Sequence, residues 1–210
     1  MSLVDVDFPA TGRALPPEVA SFLREADARV EEFLNRRKNV ASGFVPSDFV
    51  AVYHALGAIM TGQFAGGNVF CEWGSGFGVV ASLAAMLDFD ARGIEIDRDL
   101  CDAAQQLAED FDLLVGFIHG SFIPPGGEEL ADKAFANHVG ESFRLVAEVD
   151  DAYEEMGLDM EDFHVVFAYP WPDERPLIEC LFDTYAAEGA LLLTYHEFDS
   201  LVLKRKMIQS

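Results

Sequence analysis

The segment from Asn68 to Val80 constrains the fold of this chain more than any other part of the sequence. It holds a short apolar run, an acidic residue at Glu72 and glycines at positions 74, 76 and 78, and a longer apolar stretch follows. A second strand-like run, residues 91–96, carries Glu95. A strand, a glycine-rich turn, a helix and a second strand that ends in an acid are typical of proteins that bind nucleoside-bearing cofactors. The segment therefore predicts an α/β fold built on a parallel sheet.

The spacing of the glycines discriminates between two classes of such cofactors. The dinucleotide fingerprint G-x-G-x-x-G/A ends in a small residue that packs the helix against the strand. Counted from Gly74, this third position is Val79, which argues against a dinucleotide. The order Glu-x-Gly-x-Gly-x-Gly instead resembles motif I of the class I S-adenosylmethionine-dependent methyltransferases.

This resemblance implies a role for the residues that follow each predicted strand. Glu72 would take the ammonium group of S-adenosylmethionine, the glycine-rich backbone would pass close to its methionine part, and Glu95 would hydrogen-bond its ribose hydroxyls. The third strand ends in Gly120 and Ser121, where the family commonly has Gly-Asp. Adenine recognition would then either be looser or rely on packing of Phe122 and on backbone groups. The implied cofactor-binding residues are Glu72, Gly74, Ser75, Gly76, Gly78, Glu95, Ile96, Gly120, Ser121 and Phe122.

Three residues are candidates for the acceptor side of the site: Tyr169, Trp171 and His196. The range Tyr169–Pro172 occupies the place of the Asn/Asp-Pro-Pro-Tyr motif of amino-methylating relatives, but Tyr169 replaces the Asn or Asp. Trp171 either packs over a substrate amine through a cation–π contact or is a surface aromatic that covers the next helix. His196 either orients or deprotonates a nucleophile or belongs to a solvated turn. The segment Phe44–Ser47 and the compact ending resemble the seven-strand lysine methyltransferases, which implies a protein amine as acceptor.

Charge limits the partners that this chain is expected to have. With 14 basic and 37 acidic residues, its net charge is −23. Phosphate binding needs clustered Lys and Arg, so bare nucleic acid is not expected as a partner. The acidity either attracts a cationic methyl acceptor, such as a basic protein segment, or serves solubility.

The cellular setting follows from what the sequence lacks. No apolar run reaches the roughly 18 residues of a membrane span, and the opening residues do not have the layout of a secretion signal. The cysteines Cys71, Cys101 and Cys180 have no metal-ligand spacing, and neither have the histidines, so no metal is predicted. A reduced, cytoplasmic location is therefore expected.

The chain is predicted to form one domain with an added N-terminal part. Residues 1–67 are expected to be a helical extension that packs on a core of residues 68–210. Helical periodicity predicts a helix over Pro17–Asn39 and a second one over Asp48–Met60 that is capped by Ser47. The residues before the first helix are expected to be irregular.

The core is predicted to be a doubly wound, mostly parallel sheet with helices on both faces, in which Asp97 caps the helix after the second strand. Few residues follow Gly189, so the C-terminal sheet edge should be abbreviated to one antiparallel strand at 201–205. A shortened edge exposes unpaired backbone groups, which would favour a homodimer. Segment 123–160 is longer than a usual crossover and is either a crossover helix with an insertion or a lid over the substrate.

Three functions fit these observations. The first is a methyltransferase that uses S-adenosylmethionine to modify an amine on a protein or a small molecule. The second is a non-catalytic module that binds S-adenosylmethionine or a partner, which Tyr169 and Ser121 favour because they replace family residues. The third is an NAD-dependent oxidoreductase, which Val79 disfavours.

Overall fold

The computed structural model describes residues 2–9, 12, 14–36, 46–136, 152–171, 173–196 and 200–207. These residues form a seven-stranded sheet with helices. The strands are β1 (Leu3–Asp5), β2 (Val69–Trp73), β3 (Asp90–Glu95), β4 (Val115–His119), β5 (Val165–Ala168), β6 (Leu191–His196) and β7 (Ser200–Lys206). The helices are α1 (Pro17–Arg36), α2 (Phe49–Thr61), α3 (Val79–Ala85), α4 (Arg98–Asp110), α5 (Glu128–Ala136), α6 (Ala152–Met156) and α7 (Arg175–Tyr185).

The strand order confirms the predicted doubly wound sheet. It runs β1-β7-β6-β5-β2-β3-β4. The strands β2 to β6 run parallel to one another, while β7 is antiparallel to both β6 and β1. From β2 the chain proceeds to β3 and β4 on one side and later returns to β5 and β6 on the other. The order therefore reverses between β2 and β5, and ligands of open α/β sheets bind beside such a reversal.

Helices cover both faces of the sheet because the central strands are apolar on both sides. Cys71 and Trp73 of β2 share a hydrophobic core with buried residues of α5, α6 and α7. The alternate residue Phe70 belongs to the core of the opposite face, which α2 and α3 cover. On that side α1 forms an outer layer, where its buried side chains pack against residues of α3 and α4.

The edge of the sheet differs from the sequence prediction. The residues before α1 were expected to be irregular, but Leu3–Asp5 form strand β1 and pair with Lys204–Lys206 of β7. The C-terminal strand β7 extends from Ser200 to Lys206, slightly longer than predicted, and it lies between β6 and β1 instead of at the edge. A three-residue strand has no usable periodicity, and its partner lies at the other end of the chain. The sequence pattern therefore carried no local signal for β1.

Helix boundaries also required corrections. Asp48, not Ser47, is the N-cap of α2, and its Oδ1 accepts hydrogen bonds of 3.0 Å from the N–H groups of Val50 and Ala51. Asp97 caps α4 as predicted, with Oδ1 accepting from Asp99 N–H at 3.0 Å. The first helix is described up to Arg36, and the rest of its predicted range lies outside the described residues.

The described parts of segment 123–160 contain two helices that pack on the sheet. Ala131 of α5 and both Ala152 and Tyr153 of α6 are buried in the same core as Trp73. These parts form the crossover from β4 to β5, and the lid alternative concerns residues 137–151, which lie outside the described part. None of the described helices combines the length and hydrophobicity needed to cross a bilayer.

Strand β1 is held by a contact to α7, and this contact can be tested. The backbone N–H and the hydroxyl of Ser2 both donate to Oδ1 of Asp183. We expect Asp183→Ala to reduce the free energy of unfolding by about 1 kcal/mol, because hydrogen bonds to a charged group are lost. Hydrogen exchange at residues 3–5 should increase as well. Thr184→Ala is the control, because its hydroxyl donates to the carbonyl of Cys180 within the same helix, α7. Equal exchange in the two variants would contradict this role of Asp183.

Candidate functional site

The candidate site lies at the carboxyl ends of the parallel strands, beside the reversal in strand order. The loop 74–78 joins β2 to α3 at this edge. Glu95 ends the neighbouring strand β3, and Gly120 and Ser121 follow β4. The structure thus brings the predicted cofactor-binding residues to one edge of the sheet, as expected for residues that follow parallel strands.

The glycine-rich loop needs glycine for two different reasons. Gly74 has φ +69° and Gly78 has φ +64°, a region that side chains other than glycine rarely occupy. A Cβ atom on Gly78 would lie 2.3 Å from the ring of Phe117. A Cβ atom on Gly74 would meet no atom within 4 Å. The missing side chain of Gly78 therefore permits close packing inside the protein. The missing side chain of Gly74 leaves its backbone open to a molecule that approaches from outside.

Backbone hydrogen bonds fix the loop against strand β3. The N–H groups of Gly74 and Ser75 both donate to the carbonyl of Ile94 at 2.9 Å. Gly78 N–H donates to the carbonyl of Ser75 at 2.7 Å, which closes the turn before α3. The bend is therefore a defined structure rather than a loose glycine linker.

Glu95 connects the loop to the start of α4. Its Oε2 accepts from Gly76 N–H at 2.6 Å, and its Oε1 accepts from Asp97 N–H at 2.8 Å. Burial raises the pKa of Glu95, while the hydrogen bonds from Asp97 and Gly76 oppose that rise. Each carboxylate oxygen can accept a further hydrogen bond, so the predicted contact to ribose hydroxyls stays compatible with this geometry. The sequence did not reveal that Glu95 also holds the loop.

Glu72 is a buried carboxylate at the end of β2. It is 5% exposed, and its Oε2 accepts from the N–H of Ala81 in α3 at 2.8 Å. Burial raises the pKa of Glu72 well above its ordinary value, the hydrogen bond from Ala81 opposes the rise, and the charge of Glu95 adds to it. A cation beside this carboxylate would compensate for the lost hydration of the anionic form.

The residues after β4 form an aromatic platform. Phe122 stacks on Trp73 with ring centroids 5.2 Å apart and an interplanar angle of 14°. Tyr153 of α6 donates its hydroxyl to the carbonyl of Phe122 at 2.6 Å. Ser121 Oγ accepts from Ile123 N–H at 3.2 Å, so this residue ends the strand with a local turn. Sequence reasoning missed both Trp73 and Tyr153.

A histidine connects the ends of β3 and β4. Arg98 donates to Nδ1 of His119 at 3.0 Å. Because Nδ1 accepts this bond, Nε2 carries the proton and donates to the carbonyl of Ile96 at 3.0 Å. This pair of contacts fixes the backbone of Ile96 immediately after Glu95. The sequence analysis assigned no role to His119.

The three acceptor-side candidates lie at the ends of the adjacent strands β5 and β6: Tyr169 and Trp171 follow β5, and His196 is the last residue of β6. Tyr169 and His196 lie on different faces of the sheet. The Tyr169 ring packs on the α2/α3 face and contacts Tyr195 edge-on, with centroids 5.0 Å apart. His196 lies on the α7 face, and its Nε2 is 2.8 Å from Thr194 Oγ1. Burial and the charge of Arg175 lower the pKa of His196. Trp171 is 45% exposed.

Some residues of the sequence analysis lie outside the described part of the chain. They are Phe44, His138, Pro172 and Glu197. Among the residues that the structure does describe, no group of three or more His, Cys, Asp or Glu side chains is arranged to hold a metal ion.

Solved methyltransferase structures share this fold. An RNA methyltransferase from Salinibacter ruber in complex with S-adenosyl-L-homocysteine is 16% identical with a TM-score of 0.52, covering 79% of this chain and 96% of that one. A methyltransferase from Geobacter sulfurreducens is 13% identical with a TM-score of 0.52, covering 92% and 99%. An O-methyltransferase from Bacillus cereus in complex with the same compound is 13% identical with a TM-score of 0.50, covering 86% and 66%.

The chain therefore has the fold of these methyltransferase structures, a seven-stranded and mostly parallel sheet with helices on both faces. No family model and no curated protein matches the chain. The topology agrees with the resemblance that motif I indicated, but the seventh strand is β1, which the sequence did not predict.

The residues of the site fit S-adenosylmethionine on their own chemistry. Gly74 presents backbone to open space, so a ligand can approach the bend closely. Glu72 offers a buried carboxylate that gains from a cationic partner such as an ammonium group. Glu95 keeps acceptor capacity for hydroxyl groups beside the loop. Phe122 supplies a partly exposed aromatic ring at the end of β4 and is backed by the buried ring of Trp73.

Proposed function

We propose that this protein binds S-adenosylmethionine at the carboxyl edge of its sheet and transfers the methyl group to an acceptor nucleophile. The observation that carries the proposal is the bend 74–78 between the buried carboxylates Glu72 and Glu95, next to the reversal in strand order. Backbone that is open to a ligand, a carboxylate suited to a cation and a carboxylate suited to hydroxyls occur together there.

In this proposal the protein contributes binding and alignment. S-adenosylmethionine supplies an activated methyl group on a positively charged sulfur. Glu72 holds the ammonium group, Glu95 holds the ribose hydroxyls, and the bend keeps water away from the methionine part. Alignment of the nucleophile in line with the methyl group can contribute about 7–11 kcal/mol to the lowering of the barrier.

The proposed acceptor is an amine on a protein or a small molecule, as in the lysine methyltransferases that the sequence resembles. Trp171 supports this because an exposed indole next to the site can pack over a cation or its aliphatic stem. The net charge of −23 also favours a cationic acceptor over RNA, since phosphate contacts need clustered Lys and Arg. The Salinibacter ruber neighbour is an RNA methyltransferase, so RNA is the competing acceptor for the assay.

His196 is the proposed proton acceptor. An ammonium group must lose a proton before its nitrogen can attack a methyl group. Burial and the charge of Arg175 lower the pKa of His196, which keeps its imidazole neutral and able to accept that proton. Its present partner is the Thr194 hydroxyl at 2.8 Å. Tyr169 follows the neighbouring strand but packs on the opposite face of the sheet from His196, against Tyr195.

A non-catalytic module that binds the cofactor is the second candidate. It is favoured by Tyr169, which replaces the Asn or Asp of amino-methylating relatives, and by Ser121, whose hydroxyl is engaged with Ile123 N–H. Such a protein would bind S-adenosylmethionine without transferring its methyl group.

Two measurements separate these functions. Calorimetric titration with S-adenosylhomocysteine and with NAD should give binding only to the former, and the opposite result would indicate an oxidoreductase. The protein is then incubated with S-adenosylmethionine labelled on the methyl group and with a cell lysate. Label on a protein or a small amine supports the proposal, label on RNA identifies the competing acceptor, and binding without transfer supports the non-catalytic module.

We expect Trp171→Ala to raise the KM for an amine acceptor about fivefold, because a partly exposed cation–π contact is lost. The affinity for S-adenosylhomocysteine should not change, since Trp171 belongs to the acceptor side. Leu114→Ala is the matched control, because Leu114 is an apolar residue with 92% exposure that precedes β4. An unchanged KM in the Trp171 variant would assign this residue to the surface alone.

Two expectations about the protein as a whole stay predictions. A homodimer was predicted from a short sheet edge, and β1 now provides that edge with only three residues. Sedimentation of the full chain would determine its oligomeric state. A cytoplasmic location rests on the sequence alone and can be tested by fractionation of the source cells.

A further inference from the structure

We propose that helix α1 positions the cofactor loop, and that Phe33 does so through an edge-on contact to Phe77. This proposal deepens the proposed function and rests on it, since the loop is taken to bind S-adenosylmethionine. Phe33 would be a positioning residue, because it touches the loop and not the cofactor.

Phe77 is positioned to restrict the conformation of the loop 74–78. It lies between Gly76 and Gly78, both of which have positive φ angles. Glycines allow a segment many backbone conformations, and all but one of them must be excluded if the loop is to keep a single conformation. Phe77 is 2% exposed and is the large apolar side chain of the loop. Its docking site therefore limits the conformations that the two glycines can adopt.

Helix α1 forms part of the site into which the Phe77 side chain packs. Phe77 belongs to a core in which residues of α1 pack against residues of α3 and α4. The ring of Phe33 meets the ring of Phe77 edge-on, with centroids 5.1 Å apart and an interplanar angle of 87°. Edge-to-face aromatic pairs of this kind stabilise beyond the burial of their surface. Helix α1, which lies outside the β2–α3–β3 unit that contains the loop, thus contributes to the conformation of the loop.

Helix α1 is itself held in place by contacts that lie outside the loop. Phe22 contacts Phe111 edge-on, with centroids 5.1 Å apart and an interplanar angle of 86°. Arg29 forms an ion pair of 2.6 Å with Asp110 at the end of α4. These contacts hold α1 to the body of the protein, so the Phe33 end of the helix presents a fixed surface to Phe77.

Together these contacts predict how a loss of the Phe33 ring acts. If only a fraction of the free protein has the loop in its binding conformation, the apparent affinity equals the intrinsic affinity multiplied by that fraction. Removal of the ring should therefore weaken cofactor binding without altering any group that touches the cofactor. In the free protein, the molecules whose loop has left this conformation should exchange the N–H groups of Gly76 and Gly78 faster. In the binding conformation these groups donate to Glu95 and Ser75.

The test compares Phe33→Leu with Phe22→Leu in the full chain. We expect Phe33→Leu to weaken binding of S-adenosylhomocysteine about five- to tenfold, the range that an aromatic pair allows. Exchange at Gly76 and Gly78 should accelerate to a similar extent. Phe22 makes a matched aromatic contact and is fully buried, so Phe22→Leu should lower the melting temperature more. Loop exchange and affinity should change less than in Phe33→Leu, because the Arg29–Asp110 ion pair still anchors α1.

Two further variants separate positioning from general stability. Phe33→Tyr keeps the ring and should restore affinity and slow exchange. Phe77→Leu should weaken binding like Phe33→Leu, and the double variant should be no weaker than either single one, because both remove the same contact. Additive effects in the double variant, or affinity that follows the melting temperature in all variants, would overturn the proposal.

The failure of this proposal differs from the failure of the proposed function. If the wild-type protein bound no S-adenosylhomocysteine, the proposed function would be wrong, and the exchange rates of the free protein would still decide whether α1 holds the loop. If the protein bound the compound and Phe33→Leu changed neither affinity nor exchange, only the role of α1 would be rejected.

Discussion

Alanine at Gly74 and alanine at Gly78 should damage this protein in opposite ways, although both glycines have nearly the same φ angle. Each substitution places a Cβ atom in the left-handed region, which costs about 1–2 kcal/mol. At Gly78 the new Cβ would also lie 2.3 Å from the Phe117 ring and 2.8 Å from Ala104. Overpacking of this kind costs about 1–3 kcal/mol more. Gly78→Ala should therefore lower the free energy of unfolding by about 2–5 kcal/mol in total.

Gly74→Ala should instead lower cofactor affinity. Its Cβ meets no protein atom within 4 Å, so the loss of stability should be limited to the backbone term. The methyl group would project into the space from which we propose that the cofactor approaches. A clash of about 1–3 kcal/mol corresponds to roughly fivefold to a hundredfold weaker binding.

Urea unfolding and calorimetry with S-adenosylhomocysteine on the same samples measure both effects. Gly78→Ala is the control for Gly74→Ala, because it has the same backbone strain with its Cβ directed into the protein. Normal affinity in Gly74→Ala would mean that the cofactor does not pass this backbone. The proposed site would then be misplaced.

The sequence predicted the central part of the fold because its signals are local. The strand, the bend and the acid at Glu72 lie next to each other, and the run that carries Glu95 follows at a typical distance. Continuous apolar runs identify strands that are buried on both faces. The doubly wound sheet and the position of the bend could therefore be predicted without a structure.

The parts that the sequence did not predict depend on contacts between distant residues. Strand β1 pairs with β7, which lies at the other end of the chain. Trp73 stacks on Phe122, which follows a different strand. Phe33 reaches Phe77 from an outer helix. Periodicity reports which side of an element is buried, but not which side chain of another element it meets.

The roles of the two acids illustrate the same limit. Family resemblance assigns both Glu72 and Glu95 to the cofactor, and nothing in the sequence distinguishes their other contacts. In the structure Glu95 accepts one backbone N–H with each oxygen, whereas Glu72 accepts from Ala81 N–H. Substitution by glutamine should therefore have different consequences at the two positions.

Glu72→Gln should weaken binding of S-adenosylhomocysteine about tenfold to a hundredfold, because a charge-assisted hydrogen bond to the ammonium group is lost. The fold should persist, since the amide oxygen of glutamine can still accept from Ala81 N–H. In Glu95→Gln, an amide NH₂ would face either Gly76 N–H or Asp97 N–H, which leaves a buried donor without an acceptor. That variant should lose about 1–3 kcal/mol of stability as well as affinity.

The pH dependence of stability provides a check that does not involve a ligand. The folded state raises the pKa of Glu72 above its ordinary value of 4.5, mainly through burial. Between that value and the raised pKa, the folded protein binds more protons than the unfolded chain, so stability falls as the pH rises. Glu72→Gln should reduce this fall, and the variant should be at least as stable as wild type at pH values above the raised pKa. An unchanged pH profile would mean that Glu72 is ionised in the free protein.

The same proton should be released when the ligand binds. If Glu72 is neutral in the free protein and ionised beside the ammonium group, the proton passes to the buffer. The measured enthalpy of S-adenosylhomocysteine binding should then change with the ionisation enthalpy of the buffer. In Glu72→Gln this dependence should decrease, because the group that releases the proton is gone. Binding whose enthalpy depends equally on the buffer in both proteins would show that Glu72 releases no proton when the ligand binds.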